Sequence, residues 1–254
     1  MPDAGPPLIV KIAQTDAELR AAQRLRYDVF VTELGGGGDM VDHEARLEKD
    51  RFDPFFDHMI VIDTLTDRVV GVYRLMRDDQ ARAMGQFYSE DEYDLSALRN
   101  SGRRLLELGR SCVHRDFRGG TTMYRLWSAL ASYVAEHDIE ILFGVASFHG
   151  IDVSALAQPL SMLHHNHLAP PELRVRAKAQ NFQSMDLVPK DQLDRLAAMR
   201  TIPTLIKAYL RLGGHVGEGA FVDTAFNTID VCLVLDTARM NTQQSKLYTG
   251  SRAG

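Results

Sequence analysis

Cysteine is scarce: Cys112 and Cys232 are the only two in 254 residues, and each sits in an apolar run, S-C-V and V-C-L-V-L. This argues against a disulfide framework and fits a reducing, cytoplasmic setting. Long hydrophobic runs are also missing. The longest stretch without Asp, Glu, Lys or Arg, Val153–Pro171, carries three histidines and three prolines and does not suit a bilayer. The opening M-P-D-A-G-P-P lacks a basic region followed by an apolar one, so no signal peptide is expected. A soluble or membrane-peripheral protein remains. Basic charge is not in excess, with 29 Lys and Arg against 34 Asp and Glu and a formal charge of −5, which leaves no general surplus for a nucleic-acid backbone. Internal repeats, low-complexity tracts and Pro/Ser-rich linkers are lacking, which favours one elaborated domain over 1–254 with a C-terminal elaboration from about residue 153. What is present, 45% hydrophobic and 25% charged residues, is ordinary globular composition with enough apolar material for a sizeable core.

The hydrophobic pattern predicts a first strand over Leu8–Ala13, then a helix capped by Thr15 and Asp16. That helix carries Leu19, Ala22, Tyr27, Phe30, Val31 and Leu34, and Gly35 ends it. An acid-rich stretch over 39–57 leads into H-M-I-V-I-D and R-V-V-G-V-Y-R-L-M, a hairpin turning at Thr64–Asp67. A strand over 105–113, a helix from about Thr122 to His137 and a strand I-L-F-G-V-A-S imply a parallel pair with a crossover helix. A helix near Val153–Leu163, helical segments within 189–212 and a closing strand T-I-D-V-C-L-V-L-D complete an α/β or α+β fold with a mixed sheet.

Strand 105–113 holds two charged residues in an apolar setting, Glu107 on one face and Arg110 on the other by strict alternation. A glycine inside a strand marks a bulge or a close backbone approach, so Gly109 is where a bulge would re-aim Arg110 and free a backbone N–H. On the hairpin, Arg74 shares a face with Val70 and Val72 and needs a buried counter-charge, for which Asp50, Asp53 and Glu107 are available. The bland alternative is a structural ion pair; the functional one is a site for an amino acid, whose ammonium needs carboxylates and whose carboxylate needs a guanidinium fork.

The run H-R-D-F-R-G-G-T-T ahead of the crossover helix aims N–H groups at an anion, although no Walker lysine or G-x-G-x-x-G accompanies it. His164, His165 and His167 come without H-E-x-x-H or a cysteine pair, so no metal is expected there. The two cysteines fit small core residues rather than nucleophiles.

Four segments in order, R-Y-D-V-F (Arg26–Phe30), E-K-D-R-F-D (Glu48–Asp53), V-G-V-Y-R-L (Val70–Leu75) and E-L-G-R (Glu107–Arg110), resemble the acyl-homoserine-lactone synthases and their GNAT-fold relatives. G-R-S-C-V-H-R-D-F-R-G-G, L-F-G-V-A-S-F, L-H-H-N-H-L-A-P-P and F-N-T-I-D-V resemble more specifically the L-ornithine Nα-acyltransferases, over nearly the whole chain. Glycines after Glu33-Leu34, and Gly109 and Ser111 flanking Arg110, depart from the lactone-synthase pattern, which makes lactone synthesis from S-adenosylmethionine the alternative; a non-catalytic carrier-binding module is another.

The resemblance implies a GNAT-like mixed central sheet flanked by helices and splayed at strand 105–113, with the thioester arm in the opening. It implies an N-acyltransferase that moves a 3-hydroxyacyl chain from acyl carrier protein to the α-amine of L-ornithine, giving lyso-ornithine lipid, with no permanently bound cofactor and no metal. The implied site has Glu107 as general base and Arg110 beside it as catalytic residues, with backbone N–H groups near Gly109–Cys112 facing the oxyanion. Arg26, Phe30, Asp50, Asp53 and Arg74 bind the acceptor, and Arg118, Gly119, Gly120, Thr121 and Thr122 hold the phosphopantetheine of the donor. An acidic carrier calls for a basic face, for which Arg103, Arg104, Arg115, Arg118, Arg125, Arg174, Arg176 and Lys178 are available. A one-chain product suits peripheral membrane contact.

Overall fold

The computed structural model describes residues 7–119 and 121–240, which group into two compact units, one of 7–84 with 108–138 and one of 85–107 with 139–240.

In the first unit, β1 (Leu8–Ile12) leads to α1 (Asp16–Arg26), whose N-cap Thr15 accepts the Glu18 N–H at 3.2 Å through its hydroxyl. The predicted helix does not stay α-helical to Leu34. It widens into a π-helix over Tyr27–Glu33 and ends at Gly35, which has φ +70°. β2 (Asp57–Asp63) and β3 (Arg68–Arg77) form the expected hairpin. Asp63 holds its turn by accepting from Leu65 N and Thr66 Oγ1, and Asp67 closes it at φ +53°. α2 (Asp78–Met84) follows. The strand order here is β1-β2-β3-β5, where β5 is Leu105–Val113 and gives this unit its residues from 108 onward.

Helices cover both faces of these strands because their side chains alternate. Ile60, Ile62, Val72 and Cys112 pack under Ala22, Leu25 and Val29 on one face. On the other, a methyl group added at Gly71 would lie 3.1 Å from Thr122 Cγ2 and 3.3 Å from Leu126 Cδ1, so this glycine admits α4 (Thr121–Glu136) close to the sheet.

In the second unit, β4 (Tyr93–Asp94) and α3 (Ser96–Arg99) precede the start of β5. Residues 105–107 pair in parallel with 141–143 of β6 (Ile141–His149), as the crossover pattern predicted, and the ladder holds these three pairs. α5 spans Ala157–His167, not Val153–Leu163: the Asp152 carboxylate accepts from Ser154 and Ala155 N–H and folds that stretch into a turn, which delays the helix. β7 (Arg176–Ala177) pairs with β4, and β8 (Phe182–Gln183) lies on a sheet edge. The predicted helical region becomes α6 (Arg195–Thr201) and α7 (Thr204–Arg211), parted at Pro203. β9 (His215–Val216) and β10 (Ala220–Asp223) flank β11 (Thr228–Asp236), which runs antiparallel to β6 through nine residue pairs. The order here is β5-β6-β11-β10-β8, and the sheet is mixed and mostly antiparallel. Tyr93, fully buried, directs its hydroxyl at the Gly219 and Asp230 carbonyls at 3.0 and 2.9 Å. No helix among the described residues is long and apolar enough to cross a membrane.

Candidate active site

The first unit buries an ionic cluster of three guanidinium groups and three carboxylates. Arg26, the last residue of α1, is wholly buried and donates through Nε to Glu48 and through Nη1 to Asp53 Oδ1 at 2.7 Å. Arg74, wholly buried on β3, donates through Nη1 to Asp50 Oδ2 at 2.6 Å and Asp53 Oδ1 at 2.8 Å, and lies over the Phe56 ring. Arg110 reaches Glu48 Oε1 through Nε at 3.1 Å and sits 3.6 Å from Asp50 through Nη2.

Each buried charge is thereby matched, which is the condition for keeping it ionised out of water. Burial pushes the Glu48 carboxyl up, but the Arg110 and Arg26 guanidiniums outweigh it and hold the group at about 2. Burial likewise raises Asp53, and Arg26 and Arg74 hold it well below the ordinary carboxylate range. Arg26 is raised in turn, because Glu48 and Asp53 outweigh its own desolvation.

Arg26, Asp50, Asp53 and Arg74, the residues assigned to the acceptor from sequence, and the catalytic candidate Arg110 therefore converge, and they are not equivalent. Asp53 is 3% exposed, and its carboxylate takes Arg26, Arg74 and Gln23, so it organises the cluster. Asp50 and Arg110 keep 18% and 13% of their side chains exposed and are the members a solute meets first. Asp50 is oriented by its own turn, with Oδ1 accepting from Phe52 N and Asp53 N. Phe30 lies on the neighbouring apolar face, packed against the cluster of Ala22, Leu25, Val29 and Cys112.

The backbone irregularity expected at Gly109 falls one residue later. Arg110 has φ +51°, while Gly109 has no positive φ and has open space where a Cβ would stand. A left-handed conformation at a non-glycine residue costs about 1–3 kcal/mol and is kept only where the surroundings fix it. Here the ion pair with Glu48 does so. It also breaks the strict alternation assumed for 105–113.

Glu107 belongs to the second unit and is 1% exposed. Its carboxylate accepts from Tyr88 N at 2.8 Å, Ser89 N at 2.6 Å and the Ser89 hydroxyl, gripping the turn over Tyr88–Asp91.

Three residues that support the cluster were not singled out from sequence. Glu48 stands inside the quoted E-K-D-R-F-D run. Gln23, three residues before Arg26 and so on the same helix face, donates to Asp53 Oδ2 at 2.8 Å, and its carbonyl accepts the Glu48 N–H. His58, whose pKa is lowered chiefly by burial, contacts the Asp53 carbonyl at 3.0 Å through Nε2.

An acetyltransferase (GNAT) domain model matches residues 25–128, which contain the whole cluster. An L-ornithine N(alpha)-acyltransferase of Rhodobacter capsulatus is 61% identical over 94% of this chain and 94% of its own. One of Brucella abortus is 42% identical over 95% of this chain and 88% of its own. The chain belongs to the L-ornithine Nα-acyltransferase family.

It is an acyltransferase with the GNAT fold. The CoA-dependent acyl-homoserine lactone synthase BjaI, solved with MTA, shares that fold at a TM-score of 0.53 and 16% identity, covering 95% of this chain and 88% of that one.

In this L-ornithine Nα-acyltransferase family member, the segment assigned to the donor's phosphate lies in the first unit. Arg118 donates through Nε to the Val113 carbonyl at 3.0 Å and through Nη2 to Glu33 at 2.6 Å, and Gly119 has φ +120°. Thr121 is exposed, Thr122 is buried in the first turn of α4 against the sheet, and Gly120 lies outside the described residues. Of the residues assigned to a basic face, Arg103 is paired with Asp236, Arg176 with Glu218, Arg118 with Glu33 and Arg115 with Asp116 at 3.7 Å, and Arg115 and Arg125 are exposed. Cys112 and Cys232 are both buried, and burial pushes the Cys112 thiol up to about 12 and Cys232 higher still, so neither is ready as a thiolate at neutral pH.

Proposed function

We propose that this protein moves a 3-hydroxyacyl chain from acyl carrier protein to the α-amine of L-ornithine, giving lyso-ornithine lipid. The names of the relatives at 61% and 42% identity support ornithine as acceptor. The observation in the site that carries an amino-acid acceptor is the Asp50–Arg110 pair, a carboxylate and a guanidinium 3.6 Å apart at the partly accessible edge of a charge-balanced cluster. A zwitterion entering there replaces this long contact with its ammonium on Asp50 and its α-carboxylate on Arg110, while Asp50 keeps Arg74 and Arg110 keeps Glu48. The deeper groups, Arg26, Asp53 and Arg74, hold these two in place, and Phe30 lines the apolar side.

In the reaction, the α-ammonium loses a proton, the amine nitrogen attacks the thioester carbonyl, the C–S bond breaks, and the phosphopantetheine thiol leaves with a proton. Glu107 is the candidate proton acceptor, three residues before Arg110 on β5. Backbone N–H groups near Gly109–Cys112 are the candidate oxyanion donors. Arg118, Gly119, Gly120, Thr121 and Thr122 are assigned to the donor's phosphate, and Arg115 and Arg125 to the acidic carrier. No permanently bound cofactor enters this chemistry. The protein works in the cytoplasm and releases its one-chain product through peripheral membrane contact.

The test is mass spectrometry after incubation with 3-hydroxyacyl carrier protein or the matching acyl-CoA, and with ornithine, lysine, glutamine or S-adenosylmethionine in separate reactions. N-acylornithine formed with the carrier and not with CoA is the expected result. Methylthioadenosine release would assign lactone synthesis instead, and acylation of no acceptor by folded protein with intact thioester would refute the transferase proposal.

A further inference from the structure

Helix α5 ends in His164, His165 and His167, and 19 residues after His167 the chain returns to it. Asp186 Oδ1 lies 3.3 Å from His165 Nε2, and Asp186 Oδ2 lies 3.9 Å from His164 Nε2. One ligand atom from each of the three residues lies within 4.8 Å of the others. We propose that His164, His165 and Asp186 form a site for a divalent transition-metal ion of the zinc class.

Spacing is the first argument. Bonds of about 2.0–2.1 Å in a tetrahedral arrangement place ligand atoms about 3.3–3.4 Å apart. The His165–Asp186 contact already has this spacing, and the His164–Asp186 contact needs to close by about half an ångström, within the reach of side-chain rotation. Two imidazoles and one carboxylate are a nitrogen–oxygen set that suits zinc and its neighbours, whereas calcium and magnesium prefer oxygen alone.

Fixation is the second argument. Asp186 is 57% exposed, yet the chain on both sides of it is anchored. Met185 is buried at 1% exposure before it, and after it the wholly buried Ser161 hydroxyl accepts the Leu187 and Val188 N–H groups at 3.0 and 2.9 Å. Ser161 lies three and four residues before His164 and His165, so one turn of α5 holds both the loop and the two imidazoles. The rings of His164 and His165 meet edge to face with centroids 5.1 Å apart, and His165 Nε2 also touches the Val188 carbonyl at 3.0 Å. When a metal takes that nitrogen, the ring proton moves to Nδ1, and the Val188 carbonyl becomes a candidate oxygen ligand beside water. Arg174, held by the Ala169 carbonyl, is a nearby positive charge that lowers affinity without occupying a ligand position. A bound ion pins the 184–188 loop to α5 and takes no part in acyl transfer.

The experiment uses the full chain without an affinity tag, stripped with chelator and dialysed against zinc chloride, with bound metal counted by mass spectrometry and cobalt absorption as a second readout. About one equivalent of zinc and a tetrahedral cobalt band are expected, with Asp186→Asn and His164→Gln each weakening binding about ten-fold or more. His149→Gln, at an exposed histidine outside the cluster, retains both signals. No bound metal in the wild type would overturn the proposal and leave a His–Asp ion pair only. Wild-type binding by folded Asp186→Asn would overturn it as well, and this variant decides the matter where His164→Gln fails to fold.

Discussion

Replacing Glu48 by glutamine tests the logic of the buried cluster. The change keeps the shape of the side chain and removes its charge, leaving Arg26 and Arg110 without the carboxylate that both engage. A carboxyl held at about 2 instead of its ordinary 4.5 carries about 3 kcal/mol of folding stability at neutral pH. Removing one partner of a buried ion pair costs about 3–5 kcal/mol, a loss of the same order. For a chain of this size, 3 kcal/mol corresponds to a drop of about 6–12 °C in Tm.

The sign with pH follows from the depressed folded-state value. The unfolded chain binds the proton first, so the Glu48 contribution is fully present above about pH 5 and fades as pH falls toward 2. Glu48→Gln lacks this titration, and the stability gap between the two proteins therefore narrows on acidification. Asp53 titrates in both proteins and largely cancels in the difference. Urea denaturation followed by circular dichroism at several pH values reads this gap directly. A loss below about 1 kcal/mol at pH 7, or a gap that stays constant down to pH 3, would refute the account of a charge-matched cluster.

Gln23→Ala removes the donor to Asp53 Oδ2 and is expected to cost about 1–3 kcal/mol in the same denaturation assay, with Gln23→Glu worse because it sets two carboxylates together. Gly219→Ala puts a Cβ 2.1 Å from Phe182 Cε2 at a residue with φ +74°, so thermal melting is expected to show destabilisation of about 1–3 kcal/mol or more. Cys112 and Cys232 are expected to resist alkylation at pH 7.5 in the native protein and to react fully in urea, measured by intact mass; rapid native labelling would contradict their burial.

The elements were legible where their signal is local. The Thr15 cap, the hairpin at Thr64–Asp67, the crossover helix with its parallel strands and the closing strand follow from periodicity and turn chemistry, and all are found. The need to neutralise Arg74 was also readable, because a guanidinium on the apolar face of a strand has few affordable states, and Asp50 and Asp53 meet it.

Tertiary structure decided which charges share a partner and which face water. Gln23, Glu48 and Arg110 are separated widely in the chain, and only their convergence distinguishes the partly accessible Asp50–Arg110 edge from the saturated Asp53. It also put the backbone irregularity expected at Gly109 on Arg110, whose left-handed conformation is accompanied by the ion pair with Glu48. Likewise, Asp186 meets His164 and His165 across a gap that no local spacing rule covers. The sequence by itself determined most of the strands and helices, the demand for counter-charges and, through relatedness, the family, because these depend on near neighbours and on the chemistry of single side chains. The geometry of the site depends on contacts between distant segments, and burial sets their electrostatic strength only once the chain has folded.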